Sequence, residues 1–202
     1  TKAGFTFENG LRAMLRQDPD IIMVGEIRDR ATAQIAIESA LTGHLVLSTL
    51  HTNDAPSAVM RLLEMGVEPF LLSATLGGVL AQRLARRLCP ECKTSAQASE
   101  EQRASLHEYL NADDTIFASR GCRACRNLGY RGRVGIFELL TMNDDLRTAV
   151  TQKIDAGHVR HMAVASGMKT LLRDGFDKMK AGVTSLEEVL PLMVDVPAGE
   201  EK

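Results

Sequence analysis

The sequence feature that most constrains this fold is a short apolar run that ends at an acidic residue. Ile21–Val24 follow a proline and lead directly into Gly25 and Glu26. These β-compatible side chains predict a buried strand, and Glu26 is then expected at the edge where α/β sheets bind ligands. A carboxylate in that place suits Mg²⁺ held by a nucleotide. The alternative is a strand that ends in a solvated pair of Glu26 and Arg28.

A second apolar run lies between His44 and His51. The stretch between the two runs, Thr32–Leu41, has apolar residues at helical spacing, so the order is strand, helix, strand. That order predicts two parallel strands joined by a right-handed crossover, which places the same ends of both strands on one edge. We therefore expect Glu26 and His51 to lie close together at that edge, which is the expected active site.

The two histidines have different surroundings. His44 directly precedes the apolar run, and a histidine in such a place is often a structural residue that satisfies local hydrogen bonds. His51 lies in a polar Thr-His-Thr-Asn sequence after the strand, where its imidazole can donate a hydrogen bond to a phosphate oxygen. His51 is therefore the better candidate for a phosphate ligand.

Four cysteines form two C-x-x-C motifs with twenty-nine residues between them. Each motif can place two thiolates on one face of a tetrahedron, and two such faces complete the coordination of Zn²⁺. We therefore expect a closed structural zinc site, which leaves no position for His107. The expected ligands are Cys89, Cys92, Cys122 and Cys125. Disulfide bonds and a redox-active pair are the alternatives, and a reducing compartment disfavours both.

Start and stop signals predict two helices before and between the cysteine motifs. Asp54 as a cap, followed by Pro56 at the first helical position, begins one helix, and Gly66 ends it. A capping box that starts at Ser99 predicts a second helix over Glu100–Leu110, which accounts for the long separation of the two motifs.

The rest of the chain combines strand and helix patterns. The leucines of Val79–Leu88 follow helical spacing, whereas the family resemblance described below implies that much of this stretch is a strand. Val134–Leu140 is predicted as a strand that returns to the core. A last helix is capped at Ser185 and limited by Pro191. The other predicted helices lie within Asn143–Lys153, His158–Ala165 and Leu171–Lys180.

Composition disfavours several kinds of partner. A net charge of −2 gives no long-range attraction to nucleic acid or anionic lipid, and two Tyr and six Phe leave little for base stacking. The apolar stretch Pro69–Gln82 has only fourteen uncharged residues, whereas a spanning helix needs about twenty apolar ones. The first residues also lack the pattern of a signal peptide. We therefore expect a cytoplasmic protein with no membrane span and no nucleic-acid partner.

Arginines cluster around the cysteine motifs although the whole chain is nearly neutral. In the simplest interpretation most of them form a solvated face. The alternative is that some stabilise phosphate charge across a subunit boundary. The cluster comprises Arg83, Arg86, Arg87, Arg120, Arg123, Arg126, Arg131 and Arg133.

These motifs, in this order, resemble the secretion ATPase family, the hexameric motors of type II secretion and type IV pilus assembly. The resemblance covers most of the chain, and the paired cysteines resemble the secretion and pilus-extension branches. The matching segments are Leu11–Asp29, Thr42–Asp54, Gln82–Leu84 with Cys89–Cys92, and Gly121–Cys125 followed by Gly129–Glu138.

The resemblance implies a RecA-like P-loop NTPase core of the α/β class that uses ATP and Mg²⁺. Glu26 would be an atypical Walker B acid, since Gly25 holds the position where that motif ordinarily has an Asp. His44 and His51 would form the family's histidine box. The resemblance also implies basic residues at nucleotide or subunit contacts, and the arginines to test first are Arg28, Arg61 and Arg133.

One motif that the family requires does not occur in this sequence. The P-loop, G-x-x-x-x-G-K-[ST], holds phosphates with backbone amides and a lysine, yet none of the sixteen glycines is followed by Lys. In the family that loop and a catalytic Glu lie upstream of the stretch that begins here at Thr1. The chain therefore resembles the C-terminal part of such an ATPase, and we expect no turnover from it alone.

The resemblance also implies a domain order and partners. Residues 1–88, with the strand 134–140, would form part of the RecA-like core. Residues 89–133 would form a zinc-binding module and residues 141–202 a helical subdomain. The whole protein would be a homo-hexamer that acts on inner-membrane secretion or pilus platform proteins. The alternative function is a zinc-stabilised docking or adaptor module without catalysis.

Overall fold

The computed structural model describes residues 19–111 and 113–194, together with Gly10, Ala13 and Gln17. The chain divides into two compact units. The first comprises Thr1–Val79 and Leu140–Gly167, and the second comprises Leu80–Leu139 and Met168–Lys202. The stretch 141–202, predicted as one helical subdomain, is thus divided between the two units. Within the described residues, every helix is too short or too polar to cross a bilayer.

The first unit contains the predicted strand, helix and strand. Strands β1 and β2 pair in parallel, with Ile21 opposite Leu45 and Val24 opposite Ser48. The side chains of Ile22 and Val24 pack against Ile35 of the connecting helix α1, as expected for the buried side of a parallel pair. The described elements of this unit, apart from the ends of two long strands, are β1 (Ile21–Val24), α1 (Arg30–Leu41), β2 (Leu45–Ser48), α2 (Ala55–Glu64), α3 (Pro69–Thr75), α5 (Asp144–Thr151) and α6 (Ala156–Ala165).

Side-chain caps determine where the first helices begin. The Asp29 side chain accepts a hydrogen bond from the Thr32 N–H, and α1 ends before Gly43, whose φ is 98°. Asp54 caps α2 in the same way by accepting from the Ser57 N–H. Ala55 is the first residue of α2, so Pro56 occupies the second helical position, whereas the sequence predicted that it occupies the first. Either position spares a backbone N–H that has no partner within the helix.

The second unit contains two antiparallel pairs of strands. β3 pairs with β6, and the Cys89 N–H donates to the Gly129 carbonyl just beyond their ends. β4 and β5 pair from Lys93 opposite Ser119 to Gln97 opposite Thr115. The ambiguous stretch before Cys89 is therefore a strand. The elements are β3 (Gly78–Leu88), β4 (Lys93–Gln97), α4 (Glu100–Ser105), β5 (Thr115–Ser119), a 3₁₀ turn (Arg123–Cys125), β6 (Tyr130–Thr141), α7 (Leu171–Lys180), α8 (Leu186–Val189) and α9 (Pro191–Val194).

The helix between the cysteine motifs is shorter than predicted. The Ser99 capping box forms, yet α4 ends at Ser105 instead of continuing to Leu110. Leu106 has a φ of −119°, outside the helical range, and the chain continues in turns. This conformation lets Leu106 and Leu110 both enter the core of the second unit, where they are 3% and 4% exposed. Core burial therefore determines the end of this helix more than its intrinsic propensity does.

The segment 182–188 is bound to the strands that carry the cysteines. The Leu88 N–H donates to the Val183 carbonyl at 2.9 Å, and Lys93 Nζ donates to the Gly182 carbonyl at 2.8 Å. Thr184 Oγ1 donates to the Arg86 carbonyl at 2.8 Å. These bonds fix the segment that leads into α8 against the base of the first cysteine motif.

The sequence predicted that Ser185 caps the last helix. Ser185 occupies the N-cap position of α8, but its side chain does not form the capping hydrogen bond. Its hydroxyl oxygen lies 2.8 Å from the Tyr130 hydroxyl, and Ser185 is only 2% exposed. Glu188 instead binds Arg86, accepting from the Arg86 N–H at 2.8 Å and from Nη2 at 2.7 Å. The polar groups at this helix start are thus used for contacts with β3 and β6.

Candidate nucleotide and metal sites

The loops that follow β1 and β2 are joined by one backbone hydrogen bond and one side-chain hydrogen bond. The Ile27 N–H donates to the Thr49 carbonyl at 3.0 Å, and Thr49 Oγ1 donates to the Gly25 carbonyl at 2.7 Å. Both loops leave the same edge of the parallel pair, as the right-handed crossover requires. The side chains of Glu26 and His51 therefore converge, which confirms their predicted proximity.

Glu26 lies at the centre of this edge. Its Oε2 accepts a hydrogen bond from Arg28 Nε at 2.6 Å, and its Oε1 lies 2.7 Å from His51 Nε2. The approach of His51 lacks the alignment of a hydrogen bond, so Oε1 is a buried oxygen without a hydrogen-bond partner among the described residues. A buried carboxylate oxygen in this state costs free energy unless a ligand satisfies it. The Glu26 side chain is 18% exposed and the His51 side chain 87% exposed.

Arg28 lowers the pKa of this carboxylate. The hydrogen bond from Arg28 holds the pKa of Glu26 below its ordinary value, against the opposing effect of burial, and the charges of Arg28 and His51 lower that pKa further. The same contact raises the pKa of Arg28. Glu26 is therefore an anion near neutral pH, and a neighbouring cation balances its charge.

His44 makes local contacts. Its Nδ1 lies 2.9 Å from the Ser39 carbonyl oxygen and 3.0 Å from Thr42 Oγ1, both in the last turn of α1 or directly after it. The backbone N–H of His44 also donates to the Ser39 carbonyl. These contacts support the structural alternative for His44, and its place in a histidine box remains a prediction.

Arg61 and Arg133, the other predicted arginines, are both exposed. Arg61 on α2 is exposed and forms an ion pair with Glu64 at 3.3 Å. Arg61 also lines a surface cavity of about 430 Å³, together with Thr52 and Asn53 of the His51 loop. Arg133 lies on β6 in the second unit and is exposed. Their roles at nucleotide or subunit contacts remain predictions.

Sequence reasoning missed a buried ion pair behind His51. Arg160 of α6 pairs with the Asp54 carboxylate, and the two side chains are 17% and 6% exposed. The only signal in the sequence was Asp54 as a helix cap. A separation of 106 residues hides the pair from any local pattern.

The four cysteine side chains of the second unit meet in one cluster. Their Sγ atoms all lie within 4.8 Å of one another, and three of the four residues are buried while Cys122 is half-buried. The Sγ atoms of Cys89 and Cys122 are 3.9 Å apart, and those of Cys92 and Cys125 are 3.8 Å apart. All four are free cysteines, as the metal interpretation expects and the disulfide alternative does not. The cluster can therefore bind a metal ion.

Backbone N–H groups point at one of these sulfurs. The N–H groups of Cys122 and Gly129 both lie 3.2 Å from Cys125 Sγ. Burial alone would raise the pKa of Cys125, but these two donors and the neighbouring thiols lower it to about 6. Burial raises the pKa of Cys92 to about 12. One thiol of the cluster is thus prepared as a thiolate, the form that binds metals.

Local backbone geometry forms the two motifs. The Cys92 and Lys93 N–H groups both donate to the Cys89 carbonyl, which closes the first turn. In the second motif Arg126 and Asn127 have φ values of 54° and 62°, which reverse the chain after Cys125. His107 is exposed and contacts the Ala104 carbonyl, so it is outside the cluster as predicted.

Comparison with known sequences identifies a family over nearly the whole chain. The family model described as "Type II/IV secretion system protein" matches residues 1–191. The chain is 51% identical over 196 residues to the type IV pilus assembly ATPase PilB of Thermus thermophilus, covering 96% of this chain and 22% of that protein. It is 51% identical over 189 residues to the type II secretion system protein E of Pseudomonas aeruginosa, covering 94% of this chain and 38% of that protein.

Solved structures show the same fold. The pilus retraction motor PilT with bound ADP has a TM-score of 0.65 at 27% identity, covering 98% of this chain and 45% of that one. The ATPase DotB of Legionella pneumophila has a TM-score of 0.64 at 22% identity, covering 95% of this chain and 43% of that one. The predicted class, an α/β chain that forms part of a RecA-like P-loop NTPase core with a tetracysteine module, is confirmed.

The match covers only part of the length of each relative. The chain spans about a fifth to two fifths of the length of the curated relatives it matches. Nearly all of this chain takes part in each alignment, and the matched residues include Glu26, His51 and all four cysteines. The chain therefore belongs to the type II/IV secretion system protein family.

Proposed function

We propose that this chain supplies the metal-positioning and phosphate-contacting half of an ATP-hydrolysing site. The observation that carries the proposal is the convergence of Glu26 and His51, 2.7 Å apart, at the edge of a parallel sheet. That edge is where α/β sheets bind nucleotides. Membership of a family that includes named secretion and pilus assembly ATPases supports the same assignment.

The residues at this edge suit Mg²⁺ and a triphosphate. Within the part of the chain that the structure describes, Oε1 of Glu26 is a buried anionic oxygen without a hydrogen-bond partner, and hard cations prefer carboxylate oxygen. Mg²⁺ bound with ATP would neutralise charge on the phosphates. Arg28 keeps Glu26 ionised, and the exposed imidazole of His51 can turn toward a terminal phosphate and donate a hydrogen bond to it.

The phosphate cradle must come from outside these residues. No glycine of the chain is followed by Lys, so the P-loop motif is not present among them. We infer that Glu26 and His51 act only when an upstream segment of the same protein holds the nucleotide. The chain alone is expected to show no measurable turnover at millimolar MgATP.

ATP hydrolysis can be compared between this chain and a protein extended upstream to include the P-loop. We expect turnover only in the extended protein. Glu26→Gln there should lower kcat by about 100-fold or more, because an amide cannot replace the anionic metal ligand. Glu64→Gln is the matched control, since Glu64 is an exposed acid on α2, and it should leave kcat unchanged.

Two results would contradict this proposal. Robust hydrolysis by the 202-residue chain alone would mean that the phosphate cradle is present in it. Unchanged kcat in the extended Glu26→Gln protein would mean that Glu26 does not position the metal. His51→Ala should lower kcat as well, whereas His107→Ala, which changes an exposed histidine of the second unit, should not.

We propose Zn²⁺ as the ion of the tetracysteine cluster. Two ligands of a tetrahedral Zn²⁺ with Zn–S bonds of about 2.3 Å lie about 3.8 Å apart. The Sγ pairs Cys89–Cys122, Cys92–Cys125 and Cys122–Cys125 are 3.8 to 3.9 Å apart and so match this spacing. Four thiolates leave no open coordination position, so the ion would have a structural role.

The proposed whole protein is a cytoplasmic homo-hexamer that drives secretion or pilus assembly. ATP binding between subunits would close them and hydrolysis would release them, which converts phosphate chemistry into movement of domains. Its load would be platform proteins at the inner membrane.

The second candidate function is a metal-stabilised docking or adaptor module, which the closed cysteine cluster favours. ATP binding separates the two candidates, because a protein extended upstream should bind ATP only if the motor proposal is correct.

A further inference from the structure

We propose that Arg160 is a positioning residue for the Glu26–His51 site and that it acts through Asp54. This inference rests on the proposed function, because it assigns Arg160 a role in the same reaction. The loop that carries His51 runs from Thr49, after β2, to Asp54, before α2. His51 itself is 87% exposed, so its place depends on how the two ends of this loop are held.

The start of the loop is held against the Glu26 loop. Thr49 accepts a hydrogen bond from the Ile27 N–H and donates one through Oγ1 to the Gly25 carbonyl. These bonds lie one residue to either side of Glu26. They fix the first half of the His51 loop relative to the carboxylate, but they leave its second half undetermined.

Asp54 holds the end of the loop. Its Oδ1 accepts from the Ser57 N–H at 2.7 Å, and its backbone carbonyl accepts from Thr52 Oγ1 at 3.1 Å. One residue thus joins the loop to the first turn of α2 and to the residue next to His51. The position of Asp54, which its side chain fixes to the start of α2, therefore sets the path of residues 52–54.

Arg160 fixes that side chain from another helix. Its Nη2 pairs with Asp54 Oδ2, the oxygen that the cap does not use. Asp54 is 4% exposed, so its charge needs a partner, and Arg160 supplies both the charge and the hydrogen bond. The pair connects the loop to α6, which is an element of the same unit. The geometry thus makes the His51 position depend on a helix that carries no other part of the proposed site.

The test uses variants of the upstream-extended protein. Asp54→Asn with Arg160→Met removes both buried charges but keeps a capping side chain, so the double variant should fold. We expect its kcat to fall by about 10- to 100-fold, with KM within about twofold, since a displaced catalytic group costs that much in rate. Arg160→Lys alone retains the cation beside Asp54, so its kcat should lie between those of the wild-type protein and the double variant. The control is Arg147→Met, which removes a buried bond to the Ser73 carbonyl, and it should keep kcat.

NMR of the 202-residue chain gives an independent readout. The ring signals of His51 and the amide signals of residues 49–53 should shift or broaden in the double variant and stay in place in Arg147→Met. Unchanged signals and unchanged kcat in the double variant would overturn the inference. If the extended wild-type protein does not hydrolyse ATP, the proposed function fails, and the His51 signals alone decide whether Arg160 positions the loop.

Discussion

At the scale of single residues, the Glu26 carboxylate has two oxygens with different surroundings. Oε2 is bound by Arg28, and Oε1, buried beside His51, receives no hydrogen bond from any residue that the structure describes. A carboxylate that only ended a strand in solvent would hydrate both oxygens. The asymmetry leaves Oε1 available for the proposed Mg²⁺, while Arg28 binds Oε2 and lowers the pKa of the group.

Arg28→Leu should raise the pKa of Glu26. The lowered pKa means that the Glu26–Arg28 contact stabilises the fold above the ordinary pKa of 4.5 and that this contribution is lost as the pH falls through the lower folded value. In Arg28→Leu the carboxylate should therefore protonate at higher pH. A ¹³C NMR titration of the Glu26 carboxyl measures the midpoint.

Arg61→Leu is the control for this titration, because Arg61 is an exposed arginine that pairs with a different glutamate. Its effect on the Glu26 midpoint should be negligible. An equal midpoint in wild type and Arg28→Leu would show that Arg28 does not control the ionisation of Glu26.

At the scale of elements, side-chain caps and buried hydroxyl contacts determine where the helices begin. Asp29 and Asp54 cap the two helices that follow the functional strands, and each cap lies within three residues of Glu26 or His51. Asp29 and Asp54 therefore belong both to a helix start and to the loop that carries Glu26 or His51. A lost cap alters the loop as well as the helix.

Asp29→Ala should destabilise the first unit by about 1 kcal/mol, because the Thr32 N–H loses its acceptor. Asp29→Asn keeps an acceptor oxygen, so it should lose only a small part of that free energy of unfolding. Urea unfolding at neutral pH measures both free energies. Equal losses in the two variants would show that charge at this helix start, rather than the capping bond, provides the stability.

Tyr130→Phe should destabilise the second unit by about 1–2 kcal/mol, because it leaves the buried Ser185 hydroxyl without this partner. Ser185→Ala should have a similar effect. In a double-mutant cycle the two losses should not add, since both variants remove one shared hydrogen bond. Additive losses, measured by urea unfolding, would show that the two hydroxyls contribute independently.

The sequence predicted the elements whose signals are local and missed the contacts between distant segments. The parallel pair and the approach of Glu26 to His51 followed from the strand, helix, strand order. The Arg160–Asp54 pair and the Tyr130–Ser185 contact join residues far apart in the chain, so no spacing rule indicates them. The early end of α4 was missed because core burial of Leu106 and Leu110 overrides a good capping box.

At the scale of the whole molecule, the cysteine cluster closes a loop that contains α4 and two strands. Cys89 and Cys122 are 33 residues apart in sequence, yet their sulfurs are 3.9 Å apart. The stretch between the motifs contributes Leu106, Leu110 and Ile116 to the core of the second unit, and a bound metal would add to its folding free energy.

Cys89→Ser should abolish tight metal binding and unfold residues 89–133 while β1 and β2 stay paired. The expected metal content falls from about one zinc per chain to nearly none, because three thiolates cannot complete the structural site. Metal analysis measures the first effect, and hydrogen exchange of residues 21–48 and 89–133 measures the second. Ser95→Ala, an exposed change on β4, is the control. Full metal content in Cys89→Ser would refute the assignment of Cys89 as a ligand.

Cys122 is half-buried, whereas the other three cysteines of the cluster are buried. The pKa of Cys125 is lowered, but its sulfur is buried, so an alkylating reagent that approaches from solvent should modify Cys122 before its neighbours, and air oxidation during storage should begin there too. Mass spectrometry after brief iodoacetamide treatment would reveal this order. A purified sample that has lost its ion would thus age first at a single sulfur, and a reducing buffer would preserve it.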